Sequence, residues 1–292
     1  MPMNSKLLTV VIVTYNSRDV ISSCLDSINK FNDIDDELEV IIVDNSPMSG
    51  NTYLYIVNNY RWVKIIRNPE NKGYGQGNNL GARKAKGKYL LFLNPDTQLI
   101  EPIFKYAIMK FERFKNLVAF GMILITADGQ YSKSYGIMPE KKTILPTIFF
   151  LPFIKCGIMP HHIYPYGADL FVRKSSFVEA GEFDENIFLC YEEPDLIRRM
   201  KDGRVKIFNK RIIHLGEHTT NDSEKRIKIS LDSERYYFNK YGLNYERYVK
   251  YCKFTLRCRI AINRLLRKSD CSAHHLINLY NNINIKCLLP SD

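Results

Sequence analysis

With 292 residues, 45% of them hydrophobic and 25% charged, the chain is long enough to bury a sizeable core and too apolar for disorder to be its default state. A formal charge of +11 favours anionic partners, whether nucleotides, nucleic acid or an acidic membrane surface, without choosing among them. Seven cysteines without a single C-x-x-C pair argue against a zinc site or a disulfide framework and fit a reducing cytosol.

The run from Leu7 to Val13 passes straight into Thr14-Tyr15-Asn16-Ser17 without a small-residue cleavage site, so it reads as a first strand and not as a signal peptide. Ser17 to Phe31 is helical, with Val20, Cys24, Leu25 and Ile28 on one face. Strands are predicted at Glu39 to Val43, Trp62 to Arg67 and Lys88 to Leu93, and helices at Ser49 to Tyr60 and Tyr74 to Lys86. Further strands fall near Leu117 to Leu124, Tyr166 to Val172 and Arg204 to Phe208, and from about Asn221 the pattern is mostly helical. The apolar stretch 144–159 is interrupted by Pro146, Pro152 and Lys155 and is too short to span a bilayer. The alternation of strands and helices predicts an α/β fold with a mainly parallel central sheet.

Three early strands end alike, in Thr14-Tyr15-Asn16, Asp44-Asn45-Ser46 and Asn94-Pro95-Asp96. In an open parallel sheet the carboxyl ends share one edge, where ligands bind, so the clusters should converge on one crevice. Taken singly, each reads equally well as a turn or helix cap, with Asp96 of Asn94-Pro95-Asp96-Thr97 capping a following helix. The glycines of 71–81 fail the G-x-G-x-x-G register, because the third position falls on Asn78 or Leu80, and no Gly-Lys-Ser or Gly-Lys-Thr follows to make a Walker loop. What remains is a loop whose backbone can approach a ligand closely, followed by a helix amino terminus suited to phosphate.

The stretches VVIVTYNS, VIIVDNS, NPENKGYGQGNNLGARKAKGKYLLFLNPDT and GEFDENIFLCYEEPDLIRRMKDG, in that order, closely resemble the family 2 glycosyltransferases, in particular the rhamnosyltransferase-like bacterial branch. The resemblance runs from about Leu8 to His214 and implies a GT-A fold that transfers a sugar from a nucleotide donor with inversion. It implies a glycosyltransferase domain over 1–220, with a nucleotide-binding half (1–100) and an acceptor-binding half (101–220), followed by a basic helical extension (221–292).

Carried onto this chain, the family pattern places Thr14, Tyr15, Asn16 and Asp44 around the nucleoside. It sets Arg67 and the loop of Asn71, Lys72, Gly73 and Asn78 against the base or diphosphate. Asn94-Pro95-Asp96 occupies the D-x-D metal motif, with Asp96 matching its second acid and Asn94 standing where many members have Asp. A carboxamide is neutral and a weaker ligand for a hard Mg²⁺ or Mn²⁺ than a carboxylate. His214 matches a histidine that can complete the metal site, and His218 competes with it. Glu192, Glu193 and Asp195 supply acids for the base that takes the acceptor proton. The second acid of the family motif is the base, which selects Glu193 in place of the usual Asp. Pro194 suits a first helical position, with Glu193 at the cap. Asp184 either binds sugar hydroxyls or caps a turn.

Eight basic residues and no acid lie between Arg247 and Lys268. On a helix, Lys250, Lys253, Arg257, Arg264 and Lys268 form one stripe, with Tyr251, Thr255, Cys258, Ile262 and Leu265 roughly opposite. Such a helix either rests on an anionic membrane or packs on a core with a solvated basic face. Membrane contact at the cytoplasmic face suits a lipid-linked acceptor of a bacterial surface glycan. The donors implied are dTDP-rhamnose or a UDP-hexose, and no nucleic-acid partner is expected. A catalytically silent nucleotide-sugar or glycan binder of the same fold is the alternative, kept open by Asn94 and by Glu at 193.

Overall fold

The first two strands, β1 (Leu8–Thr14) and β2 (Leu38–Asp44), are buried at every residue, which explains why their apolar runs are continuous and not alternating. They belong to a computed structural model that describes residues 6–139, 163–200, 203–216, 223–265 and 277–280. With β3 (Lys64–Arg67), β4 (Tyr89–Leu93), β5 (Thr97–Leu99), β6 (Leu117–Ile125), β9 (Asp169–Arg173) and β10 (Arg204–His214) they form one eight-stranded sheet in the order β3-β2-β1-β4-β9-β6-β10-β5. β9 runs antiparallel to β4 and β6, and β5 antiparallel to β10; the remaining neighbours are parallel. The short β7 (Tyr135–Ile137) and β8 (Ile163–Pro165) pair separately.

Helices cover both faces. α1 (Arg18–Lys30), α2 (Thr52–Asn59) and α4 (Phe104–Arg113) pack on one side with Val10, Ile12, Leu91 and Phe120. α3 (Tyr74–Lys84), α5 (Lys174–Glu179) and α6 (Glu192–Arg199) pack on the other with Val11, Ile41, Leu90 and Phe92. Successive strand residues thus feed opposite cores, as the period of two requires. The chain lays down β1, β2 and β3 outward in one direction and then returns to place β4 on the far side of β1. That reversal opens a crevice between the carboxyl ends of β1 and β4, the point at which such sheets bind ligands.

The predicted strands and helices are present with edge shifts. β10 extends to His214 beyond the expected Phe208, because it keeps pairing with β6 after a register break between Phe208 and Arg211. Helix α6 starts earlier than Pro194. Cys190 and Tyr191 take left-handed φ values of 66° and 70°, turning the chain so that Tyr191 is the cap, Glu192 and Glu193 lead the helix, and Pro194 falls third. Proline is tolerated there because first-turn N–H groups have no helical partner.

The chain divides into two compact units, Met1–Met138 with Met159–Glu234 and Pro139–Ile158 with Arg235–Asp292. The boundary lies within α7 (Ser223–Lys240). In the second unit, Phe238 packs against Tyr237, Tyr245 and Tyr248, joining the end of α7 to α8 (Tyr245–Leu265). Lys250, Arg257 and Arg264 of α8 are exposed, and Lys253, Tyr251, Thr255 and Cys258 are half-buried. Lys268, the side chains of Ile262 and Leu265, and the 144–159 stretch lie outside the described residues. Among those described, no helix is long and apolar enough to cross a membrane, and Cys24, Cys190, Cys252 and Cys258 are not joined in disulfides.

Candidate active site

At the crevice lies a cavity of about 310 Å³ lined from the strand ends by Val13, Tyr15, Ser17, Asn45, Asn94 and Asp96. The Gly-rich loop adds Asn71, Gly73 and Tyr74, the segment before α6 adds Phe188 and Leu189, and β10 adds His214. Three further lining residues, Lys225, Arg226 and Ile229, come from the first half of α7.

Beneath the β1 and β2 ends lies a buried polar lattice. Asp44 is fully buried, and its Oδ1 accepts hydrogen bonds from Thr14 Oγ1 (3.0 Å) and from the hydroxyl and backbone N–H of Ser46. Its Oδ2 accepts from Arg67 Nη1 at 2.7 Å. Ser46 Oγ in turn accepts from the N–H of Asn16, which holds a left-handed φ of 51°. Thr14, Asn16, Asp44 and Arg67 therefore frame the cavity without lining it. Asn45 Nδ2 donates to Asn71 Oδ1 and to the Gly73 carbonyl, both at 3.2 Å, which ties the Gly-rich loop to β2.

That loop is pinned on its other side. The Tyr74 N–H donates to the Phe188 carbonyl at 2.8 Å, and Gly73, at φ 104°, approaches so closely that a Cβ there would stand 2.2 Å from the same oxygen. Of the other loop residues singled out from sequence, Lys72 is exposed and paired with Glu70, and Asn78 is buried in α3 with Oδ1 lacking a hydrogen-bond partner among the described residues. Neither lines the cavity. Asp184 also stands apart, accepting from the backbone and side chain of Asn186 through Oδ1.

Asn94-Pro95-Asp96-Thr97 is a turn closed by the Thr97 N–H on the Asn94 carbonyl, but a strand follows it, not a helix for Asp96 to cap. That strand, β5, pairs Thr97 with His214 across the antiparallel ladder, and the Leu215 N–H donates to the Asp96 carbonyl. The pairing brings His214 Nε2 to 3.4 Å from both Asp96 Oδ1 and Asn94 Nδ2. His218 lies outside the described residues. Asp96 is 5% exposed, and among the described residues no three acids, histidines or cysteines cluster as a complete metal cage. A carboxylate, an imidazole and an adjacent amide fit a divalent cation that takes its other ligands from phosphate oxygens and water, as Mg²⁺ commonly does.

The second acidic group lies at the start of α6. Glu193 is 8% exposed, and its Oε1 accepts from the Gly167 N–H at 2.6 Å. The carbonyl of that same glycine accepts from the Tyr74 hydroxyl at 2.7 Å. A Cβ at Gly167 would stand 2.7 Å from Glu193 Oε1, so the close approach depends on glycine. Burial, with the charges of Glu193, Glu192 and Asp96 adding to it, keeps the Tyr74 phenol protonated far above its usual range. Tyr74 lines the cavity and reaches Glu193 through Gly167, whereas Glu192, Glu193 and Asp195 are not themselves among the lining residues. Asp195, the third acid of the motif, is engaged by Arg199, whose Nε and Nη2 donate to Oδ2 at 2.9 and 2.6 Å.

Glu192 is 3% exposed, and its Oε2 has no hydrogen-bond partner among the described residues. Burial first, and then the neighbouring Glu193 charge, raise its proton affinity well above the ordinary carboxylate range; burial also raises that of Glu193, against hydrogen bonds from its own N–H and that of Gly167. The folded state therefore binds protons more tightly than the unfolded chain. The stability this pair contributes is complete below the unfolded value of about 4.3 and is lost as pH rises through the elevated folded values. Glu192→Gln should flatten that slope, cutting the loss of unfolding free energy between pH 5 and pH 8 by about 1 kcal/mol or more. Denaturant melts at the two pH values measure it, and an unchanged difference would place the burden elsewhere.

Composition and motif spacing did not single out Tyr74, Gly167, Phe188, Lys225 or Arg226. Tyr74 and Phe188 stood within segments that carried the resemblance and Gly167 lay between two of them, whereas Lys225 and Arg226 lie at the start of a helix that reads as part of an appendage.

The sequence profile of glycosyl transferase family 2 matches residues 9–172. A poly(ribitol-phosphate) beta-glucosyltransferase of Bacillus spizizenii is 36% identical over 94 residues, 30% of this chain and 14% of that protein. Rhamnosyltransferase WbbL of Escherichia coli is 24% identical over 69% of this chain and 79% of its own length. In structure, S. aureus TarS 1-349, crystallised in complex with UDP-GlcNAc, superimposes with a TM-score of 0.54 at 14% identity, covering 86% of this chain and 81% of that one. At that identity the likeness concerns the fold, which is GT-A.

Proposed function

Because this chain belongs to glycosyl transferase family 2, we propose that it is an inverting glycosyltransferase that moves a sugar from a nucleotide donor to a hydroxyl of a growing bacterial surface glycan. The observation that carries this reading is that Asp96, His214 and Tyr74 line one cavity at the sheet's switch point, and that Gly167, whose carbonyl accepts from the Tyr74 hydroxyl, donates its N–H to Glu193 just behind that lining. Inversion needs a base on one side of the anomeric carbon and a stabilised leaving group on the other. Glu193 takes the acceptor proton, and its raised proton affinity brings it nearer the operating pH, which strengthens it as a base. Asp96 and His214 hold Mg²⁺ or Mn²⁺, which when bound supplies positive charge to the departing diphosphate. Asp44 sets Arg67 and Ser46 in place, and Tyr15 offers its ring to the nucleoside.

The donor is a UDP-hexose or dTDP-rhamnose, in keeping with the glucosyl- and rhamnosyl-transferring relatives and the UDP-GlcNAc bound by TarS. The acceptor is lipid-linked and met at the cytoplasmic face of the membrane, where the exposed Lys250, Arg257 and Arg264 of α8 contact anionic lipid. The catalytic part of the chain runs past residue 220 into α7, whose Lys225, Arg226 and Ile229 line the cavity, and the basic extension follows it.

A thermal-shift panel of nucleotide sugars, with and without Mn²⁺, tests the reading. A productive donor at about 100 times its Kd adds about 2.7 kcal/mol of stability. One donor class should raise Tm in this way and be hydrolysed slowly without acceptor. A panel with neither shift nor hydrolysis would count against transfer, and a shift without turnover would favour a silent binder.

A further inference from the structure

The cavity takes three residues from α7, and their i, i+1, i+4 spacing puts Lys225, Arg226 and Ile229 on one side of that helix. α7 up to Glu234 belongs to the first unit. Ser233 Oγ donates to the Leu189 carbonyl at 2.8 Å, and the Tyr191 hydroxyl donates to Glu234 Oε2 at 2.6 Å. Arg226 also lies close enough to Cys190, two residues before Glu192, to act on its charge.

Two features of this placement point to an anion. Lys225 and Arg226 are the third and fourth residues of an 18-residue helix, where positive charge opposes the helix dipole and weakens the first turn. Against these two cations the lining sets one carboxylate among the described residues, Asp96, because position 94 carries a neutral amide. The lining is thus biased toward a multiply charged anion.

Resting on the glycosyl-transfer reading above, we propose that Lys225 and Arg226 clamp the nucleoside diphosphate leaving group. In the transfer, the acceptor O–H proton passes to the Glu193 carboxylate and a lone pair of the acceptor oxygen forms the bond to the anomeric carbon. The electrons of the breaking carbon–oxygen bond remain on the diphosphate, which departs with one more negative charge. Lys225 meets that charge with a compact ammonium, and Arg226 with paired N–H donors matched to phosphate oxygens. A protein-borne clamp of this kind lessens what the Asp96 and His214 pair must supply alone, which makes Asn94 tolerable.

Titration calorimetry on the full chain with UDP, dTDP, GDP and ADP, and with their nucleosides, tests this in Mn²⁺ and again in EDTA. The Lys225→Gln/Arg226→Gln double variant should lose about 30-fold or more in affinity for the tightest diphosphate under both conditions, with nucleoside affinity within about 2-fold of wild type. Lys228→Gln on the same helix, at a residue outside the cavity lining and paired with Glu224, should change neither. Diphosphate affinity within about 2-fold of wild type in a folded double variant would overturn the clamp while leaving the transferase reading intact. A parallel fall in nucleoside affinity would also overturn it, because a phosphate clamp does not touch the base. If wild type binds none of the diphosphates, the transferase reading falls and the clamp falls with it.

Discussion

Glu193→Gln should lower kcat by about 10²- to 10⁴-fold while leaving donor KM nearly unchanged. The amide keeps the volume and can still accept from the Gly167 N–H through its oxygen, so the α6 start and the Tyr74–Gly167 link should survive. Only proton acceptance is lost. In the wild type, activity should rise with pH as Glu193 ionises, and burial places that limb above the ordinary carboxylate range of about 4.3. In the variant the limb should vanish along with the rate. Steady-state kinetics from pH 4.5 to 8.5 would decide the matter. A variant with near-wild-type kcat and the same acid limb would move the base to Glu192, whose Oε2, without a hydrogen-bond partner among the described residues, makes it next in line.

The nucleotide half was readable because its strands are buried on both faces, and the runs of Val, Ile and Leu at 8–13, 38–43 and 89–93 have no other economical use. Their polar ends follow from the same pattern, and six of the residues chosen from sequence do line the cavity: Tyr15, Asn71, Gly73, Asn94, Asp96 and His214. Strand order was not readable, because the return of β4 to the far side of β1 is set by crossover handedness and helix packing and leaves no local trace. β5 has three residues, too few for any period, yet its pairing with β10 helps to bring His214 to Asp96. The left-handed pair Cys190-Tyr191 lacks the Gly or Asn that would announce it, which is why α6 seemed to begin at its proline. Asp44 was placed at the nucleoside by the family resemblance alone; what the sequence could not show is that its carboxylate holds Thr14, Ser46 and Arg67. Lys225 and Arg226 were absorbed into the general positive charge of the carboxyl-terminal segment, where two more basic residues attract no notice.

Asp96→Asn should lower kcat by about 10²- to 10³-fold and abolish the response of the remaining activity to Mn²⁺. The substitution is isosteric, and the turn relies on backbone groups, with the Thr97 N–H on the Asn94 carbonyl and the Leu215 N–H on the Asp96 carbonyl. β5 should therefore stay paired and His214 in place, so a folding defect is not the expected cause. With Asn94 already neutral, the variant leaves the strand end without a carboxylate, and His214 with two amides is a poor site for a hard cation. Nucleoside affinity should hold, because Asp44, Ser46 and Arg67 are untouched. The clamp from α7 predicts in addition that UDP binding in EDTA is the same for wild type and variant, while the Mn²⁺-dependent gain appears in wild type only. Calorimetry of UDP with and without Mn²⁺, paired with single-turnover rates, separates these effects. Were Asp96 merely a turn former, the variant would transfer sugar at the wild-type rate with its Mn²⁺ response intact, and the cation would have to be sought outside the β4 end.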